Sequence, residues 1–265
     1  RSWAFYALSA LHNFEEANSA LEKAFKEIGE KDSRLIKDEL MWSHAYSALL
    51  DAKSDLLGGI GYYEEALKVL EESEELLEHY KDEIIKRWGE KSYYMGKSVV
   101  MNRLGALTLY TSESEDDLKK ALEYCMNVIE FSQKAENKQY VAQARRNLAL
   151  IQMLLAKSQD DFKKVNEKVK GISLEDCIKI FKEIGDKEGE VIARGLMAIY
   201  YLALKDYGKA LKFASDSLEI AMKGSDESLK AQSKLLLAYI KMTSKLNDFK
   251  RGELASEVYK LIQDA

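Results

Sequence analysis

The chain has 265 residues and no proline, where ordinary usage near ~5% would supply roughly thirteen. Apolar residues make up 46% and charged residues 32%, with 14 glycines and 2 cysteines, so collagen-like, proline-rich and disulfide-scaffold classes are excluded. The net charge of −5 argues against nucleic acid as the main partner, because phosphate binding needs a concentrated basic face.

Taken in chain order, the apolar spacing is helical almost throughout. Trp3, Phe5 and Tyr6 crowd the first segment. Ala17, Leu21, Ala24, Phe25 and Ile28 then recur at three- and four-residue steps, and Gly29 to Ser33 breaks the pattern. Further breaks are expected at Gly58 to Gly61, Thr111 to Asp116, Gly171 to Ser173, Gly185 to Gly189, Gly224 to Ser228 and Leu246 to Asp248. Between them Ala66, Leu67, Leu70, Leu76 and Leu77 predict one helix, and Ala121, Leu122, Cys125, Val128 and Ile129 another. Ser114 with Asp117, Ser158 with Asp161 and Ser173 with Asp176 have the spacing of capping-box helix starts. Without proline, Gly29, Gly185 and Gly224 are expected to stop helices in the left-handed conformation. About a dozen helices result, with no strand alternation between them. The longest apolar stretch, Val99 to Tyr110, is broken by Asn102 and Arg103, so no membrane span is expected.

Little in this pattern suggests chemistry. Gly96-Lys97-Ser98 lacks the glycine a phosphate loop needs at position 91, which is Lys91. Leu57 to Gly61 follows a helix where a dinucleotide fingerprint follows a strand. His12, His44 and His79 are isolated in sequence, so no metal is expected. Cys125 and Cys177 have no CxxC partner and fit buried thiols in a reducing, cytoplasmic compartment. Paired carboxylates such as Glu71-Glu72 and Asp116-Asp117 read as solvated helix faces. No cofactor and no catalytic residue are expected.

The clearest internal repeat is Val191 to Met222, VIARGLMAIYYLALKDYGKALKFASDSLEIAM. It resembles the tetratricopeptide repeat (TPR): Met197-Ala198 stands at the Leu-Gly position, Tyr201 at the first-helix tyrosine, Asp206-Tyr207 at the turn, and Ala210 at the small contact residue. Weaker copies carry Leu104-Gly105, Leu148-Ala149 and Leu237-Ala238. The contact positions fall at 17, 66, 121, 177, 210 and 252, and only one interval is near the family's ~34. Ile184 to Glu190, IGDKEGE, is similar to a longer-period branch that includes LGN and kinesin-light-chain scaffolds and the sensor regions of signal-transduction ATPases. The resemblance implies an all-α, right-handed α-solenoid of about six antiparallel helix pairs, a single TPR-like domain over 1–265 that is clearest in 98–265. HEAT-like repeats also fit the first third.

The same resemblance implies a concave groove lined by the first helix of each pair. Carried onto this chain, its residues are Val99, Asn102 and Arg103; Gln143, Arg146 and Asn147; Ile192, Gly195 and Leu196; and Gln232, Leu235, Leu236 and Tyr239. Asparagine can hold a peptide backbone and arginine a carboxylate, so the expected partner is a protein or an acidic or amphipathic peptide. The competing expectation is that Arg103, Arg145 and Arg146 pair with carboxylates of neighbouring helices. A non-catalytic binding scaffold is the leading functional reading. The alternative is a ligand-sensing regulatory domain of a larger signalling ATPase or transcription activator. The start at Arg1 and the aromatic first segment lead us to expect a fragment with an upstream domain.

Overall fold

The computed structural model describes residues 14–28 and 36–245. Trp3, Phe5, Tyr6, His12, the Gly29 stop, the Leu246 to Asp248 break and contact position 252 lie outside the described residues. Within them are twelve helices: α1 (Phe14–Ile28), α2 (Glu39–Gly59), α3 (Tyr63–His79), α4 (Lys81–Trp88), α5 (Glu90–Tyr110), α6 (Glu115–Lys134), α7 (Lys138–Leu155), α8 (Gln159–Lys164), α9 (Leu174–Ile184), α10 (Lys187–Ala203), α11 (Tyr207–Met222) and α12 (Glu227–Lys245). No strand occurs among the described residues, and an isolated antiparallel bridge joins Val169 to Ile172. The fold is all-α, and no helix among the described residues is long and apolar enough to cross a membrane.

Side chains set the helix ends. Ser114 and Ser173 form complete capping boxes with Asp117 and Asp176, and Ser158 accepts from the Asp161 amide. Each satisfies donors that an uncapped first turn would leave orphaned. Gly185 closes α9 in the left-handed conformation at φ 74°, as expected of a glycine stop. Gly224 does not behave this way: Lys223 caps α11 in the right-handed region. Gly89, with φ 85°, makes the sharp break between α4 and α5, which the apolar pattern does not announce.

The described residues fall into two compact units divided between Tyr140 and Val141. In the N-terminal unit α2 packs on α3 and α5 on α6, while α3 and α4 both pack against α5. α2 meets α3 through Tyr46 with Glu72 and Ser47 with Ser73, and Gly58, near the C-terminal end of α2, faces Leu107 of α5. In the C-terminal unit α9 packs on α10, α10 on α11 and α11 on α12, with α10 also touching α12. Phe181, Leu174, Cys177 and Met197 centre its core.

Small residues sit where the helices cross. Ala17, Ala66, Ala121, Cys177 and Ala210 are all fully buried. A Cβ on Gly105 would come within 3.0 Å of Tyr124 Cβ, so α5 and α6 approach closely because α5 carries no side chain there. The charge, spread out to the eye in the sequence, is divided between the units. Residues 1–140 hold 27 Asp and Glu against 18 Lys and Arg, a net of −9, whereas residues 141–265 hold 18 against 22, a net of +4.

Candidate functional site

In the N-terminal unit α2 and α5 face each other across a cavity of about 540 Å³, closed below by Leu76 and Leu77 of α3 and at one end by Ile84 and Trp88 of α4. Ser43, His44, Ser47, Ala48 and Asp51 form the α2 wall, and Lys91, Ser92, Met95, Gly96, Val99 and Val100 form the α5 wall. The α2 residues repeat at three- and four-residue steps, so one face of the helix supplies them all. Gly96 lets α5 pack close to α3 beside the cavity, since a Cβ there would sit 3.1 Å from Leu77 Cδ1. His44 lies against Trp88, with ring centroids 5.7 Å apart.

The polar end of the cavity is a charge network. Arg103 donates from Nη1 to Asp51 Oδ2 at 2.9 Å, and from Nε and Nη2 to the two oxygens of Asp55 at 3.1 Å each. Ser73 donates to Asp51 Oδ1 at 3.3 Å and shares a 2.8 Å bond with Ser47. Burial pushes the Asp51 carboxyl above the usual carboxylate range, and Arg103 offsets this only in part. Burial also works against the Arg103 charge, but Asp51 and Asp55 outweigh it and hold the guanidinium firmly protonated. Lys97, itself buried, is neutralised by Glu74 and Glu78 of α3.

The α5 stripe read from the sequence runs beside this cavity, and its cation is already paired. Val99 lines the cavity, and half-buried Asn102 lies one turn further along the same face. Arg103, expected to grip an acidic ligand, is instead bound to two aspartates of α2, which is the competing expectation. Arg145, by contrast, meets no carboxylate: fully buried, it donates to the carbonyls of Val165, Glu167 and Ile172.

The other expected groove residues belong to the C-terminal unit. Gln143, Arg146 and Asn147 share one face of α7 and are half-buried. Arg146 Nε and Nη2 lie 3.3 and 3.2 Å from Asn147 Oδ1, and its guanidinium lies 5.8 Å from the Phe181 ring centre. The carbonyl that would receive a peptide N–H is thus already engaged. On α12 Gln232, Leu235 and Tyr239 are exposed, the last two by about half (50% and 55%), and Leu236 packs inward beside Gly195. Burial pushes the Cys177 thiol up to about 12, so it stays protonated and inert as a nucleophile.

Sequence reasoning missed the α2 wall and α4. The repeat resemblance is thin before residue 98, so it assigned no position to Ser43, Ser47 or Asp51. Helix α4 has no counterpart in a two-helix repeat. The available signal was a small and polar stripe, Ser43, Ser47 and Asp51, running along an otherwise apolar helix.

No protein-family model matches the chain, and no curated protein matches it. Among solved structures it is similar to the crystal structure of BtubC (BKLC) from P. vanneervenii, with a TM-score of 0.62 and 14% identity over 95% of this chain and 90% of that one. At that identity the likeness is one of fold.

Proposed function

We propose that the chain is a divergent TPR-like right-handed solenoid that acts, without catalysis, as a peptide-binding scaffold. The observation that carries this is the cavity between α2 and α5, with its apolar floor and a polar end at Asp51. It lies between successive first helices, where stacked helical hairpins present their inner wall, and its mixed lining suits an anchoring side chain. The buried cysteines support a reducing, cytoplasmic setting. Binding is tested by capturing partners with the intact chain and with an Ala48→Trp variant. Ala48 is exposed in the cavity wall, so the indole fills the cavity without entering the core. Loss of the captured partner supports the reading, and unchanged capture removes the cavity from it.

One observation favours the second reading, a ligand-sensing regulatory domain. A cavity of about 540 Å³ falls within the roughly 300–1,000 Å³ typical of small-molecule sites. A metabolite library screened by thermal shift against the chain and Ala48→Trp separates the two, since a scaffold gives no hit that the variant abolishes.

A further inference from the structure

We infer that the cavity of the N-terminal unit takes a basic amphipathic peptide, seating an apolar side chain on its floor and a lysine or arginine beside Asp51. This rests on the cavity being the binding site and commits to the charge of its occupant.

Three observations carry it. The cations around the cavity are already matched. Lys91 lies 2.6 Å from Glu136, Lys97 is held by Glu74 and Glu78, and Arg87 lies 2.6 Å from Asp38. Arg103 faces two aspartates, so that network carries a surplus negative charge when both are ionised. Among the described residues an acidic peptide would find no unmatched lysine or arginine there, whereas a basic one completes the network.

The serine hydroxyls of the wall are also engaged. The Ser43 hydroxyl donates to the Leu40 carbonyl, the Ser92 hydroxyl to the Trp88 carbonyl, and Ser47 pairs with Ser73. Asp51 Oδ1, which receives one long bond from Ser73 at 3.3 Å, is a charged acceptor with capacity to spare. Finally, residues 1–140 carry a net charge of −9, a field that steers cationic segments toward this unit and repels acidic ones.

The test uses two short probe peptides with the same apolar positions, one with lysine and one with glutamate at every polar position. Each is titrated calorimetrically into the full chain at physiological salt, where distant surface charges are screened. The lysine peptide is expected to bind at least about tenfold tighter. His44→Glu, at the exposed cavity mouth, should tighten it and His44→Lys weaken it. Asp51→Asn should weaken it, whereas Glu65→Gln changes net charge equally but lies eleven residues from Leu76, roughly 17 Å along α3, and should leave it unchanged. Equal affinities, or a preference for the glutamate peptide, overturn the charge assignment. If Ala48→Trp still abolishes that binding, the cavity reading survives. Binding that ignores Ala48→Trp, or no binding by either peptide, overturns both.

Discussion

Arg103 and Asp55 form a two-pronged pair, Nε to Oδ1 and Nη2 to Oδ2, each at 3.1 Å, across the α2–α5 contact. Because Nη1 also holds Asp51, removing the guanidinium strands two carboxylates in a largely buried site. Breaking a buried pair from one side costs about 3–5 kcal/mol, and these side chains are 15–25% exposed. Arg103→Met should therefore lose about 3 kcal/mol at neutral pH by denaturant titration. Arg103→Lys should lose somewhat less, since an ammonium cannot reproduce the planar fork.

The loss should depend on pH in a defined direction. Burial raises the Asp51 carboxyl above its unfolded value, so between those two values the folded state holds more proton than the unfolded one. Its contribution to stability therefore falls as pH rises through that window. Without Arg103 the window extends further upward. The deficit of Arg103→Met relative to wild type should shrink on acidification, as Asp51 protonates. A deficit that grows on acidification would contradict this arrangement.

Two glycines of one helix should respond oppositely to alanine. A Cβ at Gly189 would fall 2.5 Å from Phe181 Cδ1, and Phe181 is a fully buried centre of its core, so the ring cannot swing aside. Gly189→Ala should cost about 1–3 kcal/mol by overpacking. At Gly195 the new Cβ meets Leu236 Cδ2 at 3.5 Å, an ordinary contact, and the gain in helix propensity of up to about 1 kcal/mol should appear. Thermal melts of the two variants settle the contrast, and a stabilised Gly189→Ala would show that α9 and α10 are not packed this tightly.

Much of the fold was legible because its signals are local. Apolar spacing located the helices, Ser114 and Ser173 announced their caps, and the small residues at 17, 66, 121, 177 and 210 marked the crossings, all of which are buried. The site was legible only where the repeat resemblance reached. Val99 lines the cavity and Arg103 follows one turn later, but nothing within one helix shows that Arg103 meets Asp51 and Asp55, about fifty residues away. Gly89 and α4, whose Ile84 and Trp88 close one end of the cavity, interrupt the repeat pattern, so a reading built on that pattern passes over them. Charge segregation was hidden because the dividing point lies inside a continuous helical stretch, α7.

Ser173 caps α9 by accepting from the Asp176 amide at 3.1 Å, while Asp176 accepts from the Ser173 amide at 3.0 Å. Ser173→Ala should cost about 1 kcal/mol. The bonds from the Ser173 backbone and hydroxyl hold the Asp176 carboxyl below its usual range. A lowered acid gives stability that is complete above the unfolded value and is lost as pH falls through the folded one. Asp176→Asn should therefore be less stable than wild type at neutral pH, and the two should converge on acidification. Persistence of the full difference in acid would mean that Asp176 acts through shape, with no part for its charge.

Arg145 is the tie that holds the inserted segment between α7 and α9. Its Nε reaches the Ile172 carbonyl at 2.9 Å, and Nη2 reaches Val165 at 2.5 Å and Glu167 at 2.8 Å. Burial lowers its pKa, yet an arginine stays charged, and three carbonyl dipoles supply what a carboxylate would otherwise give. Arg145→Met keeps most of the volume but orphans carbonyls of Val165 and Glu167, at about 1–3 kcal/mol for each group left buried. Arg145→Lys should not rescue it, because one ammonium cannot reach both sides of the Val169–Ile172 turn. Native-state hydrogen exchange reads this directly. The amides of Val169 and Ile172, which pair with each other's carbonyls at 3.0 Å, should lose protection in Arg145→Met, while that of Met197 in the core of α10 loses far less. Equal loss at all three amides would mean that Arg145 supports the whole unit, and unchanged protection at Val169 and Ile172 would mean that it supports neither.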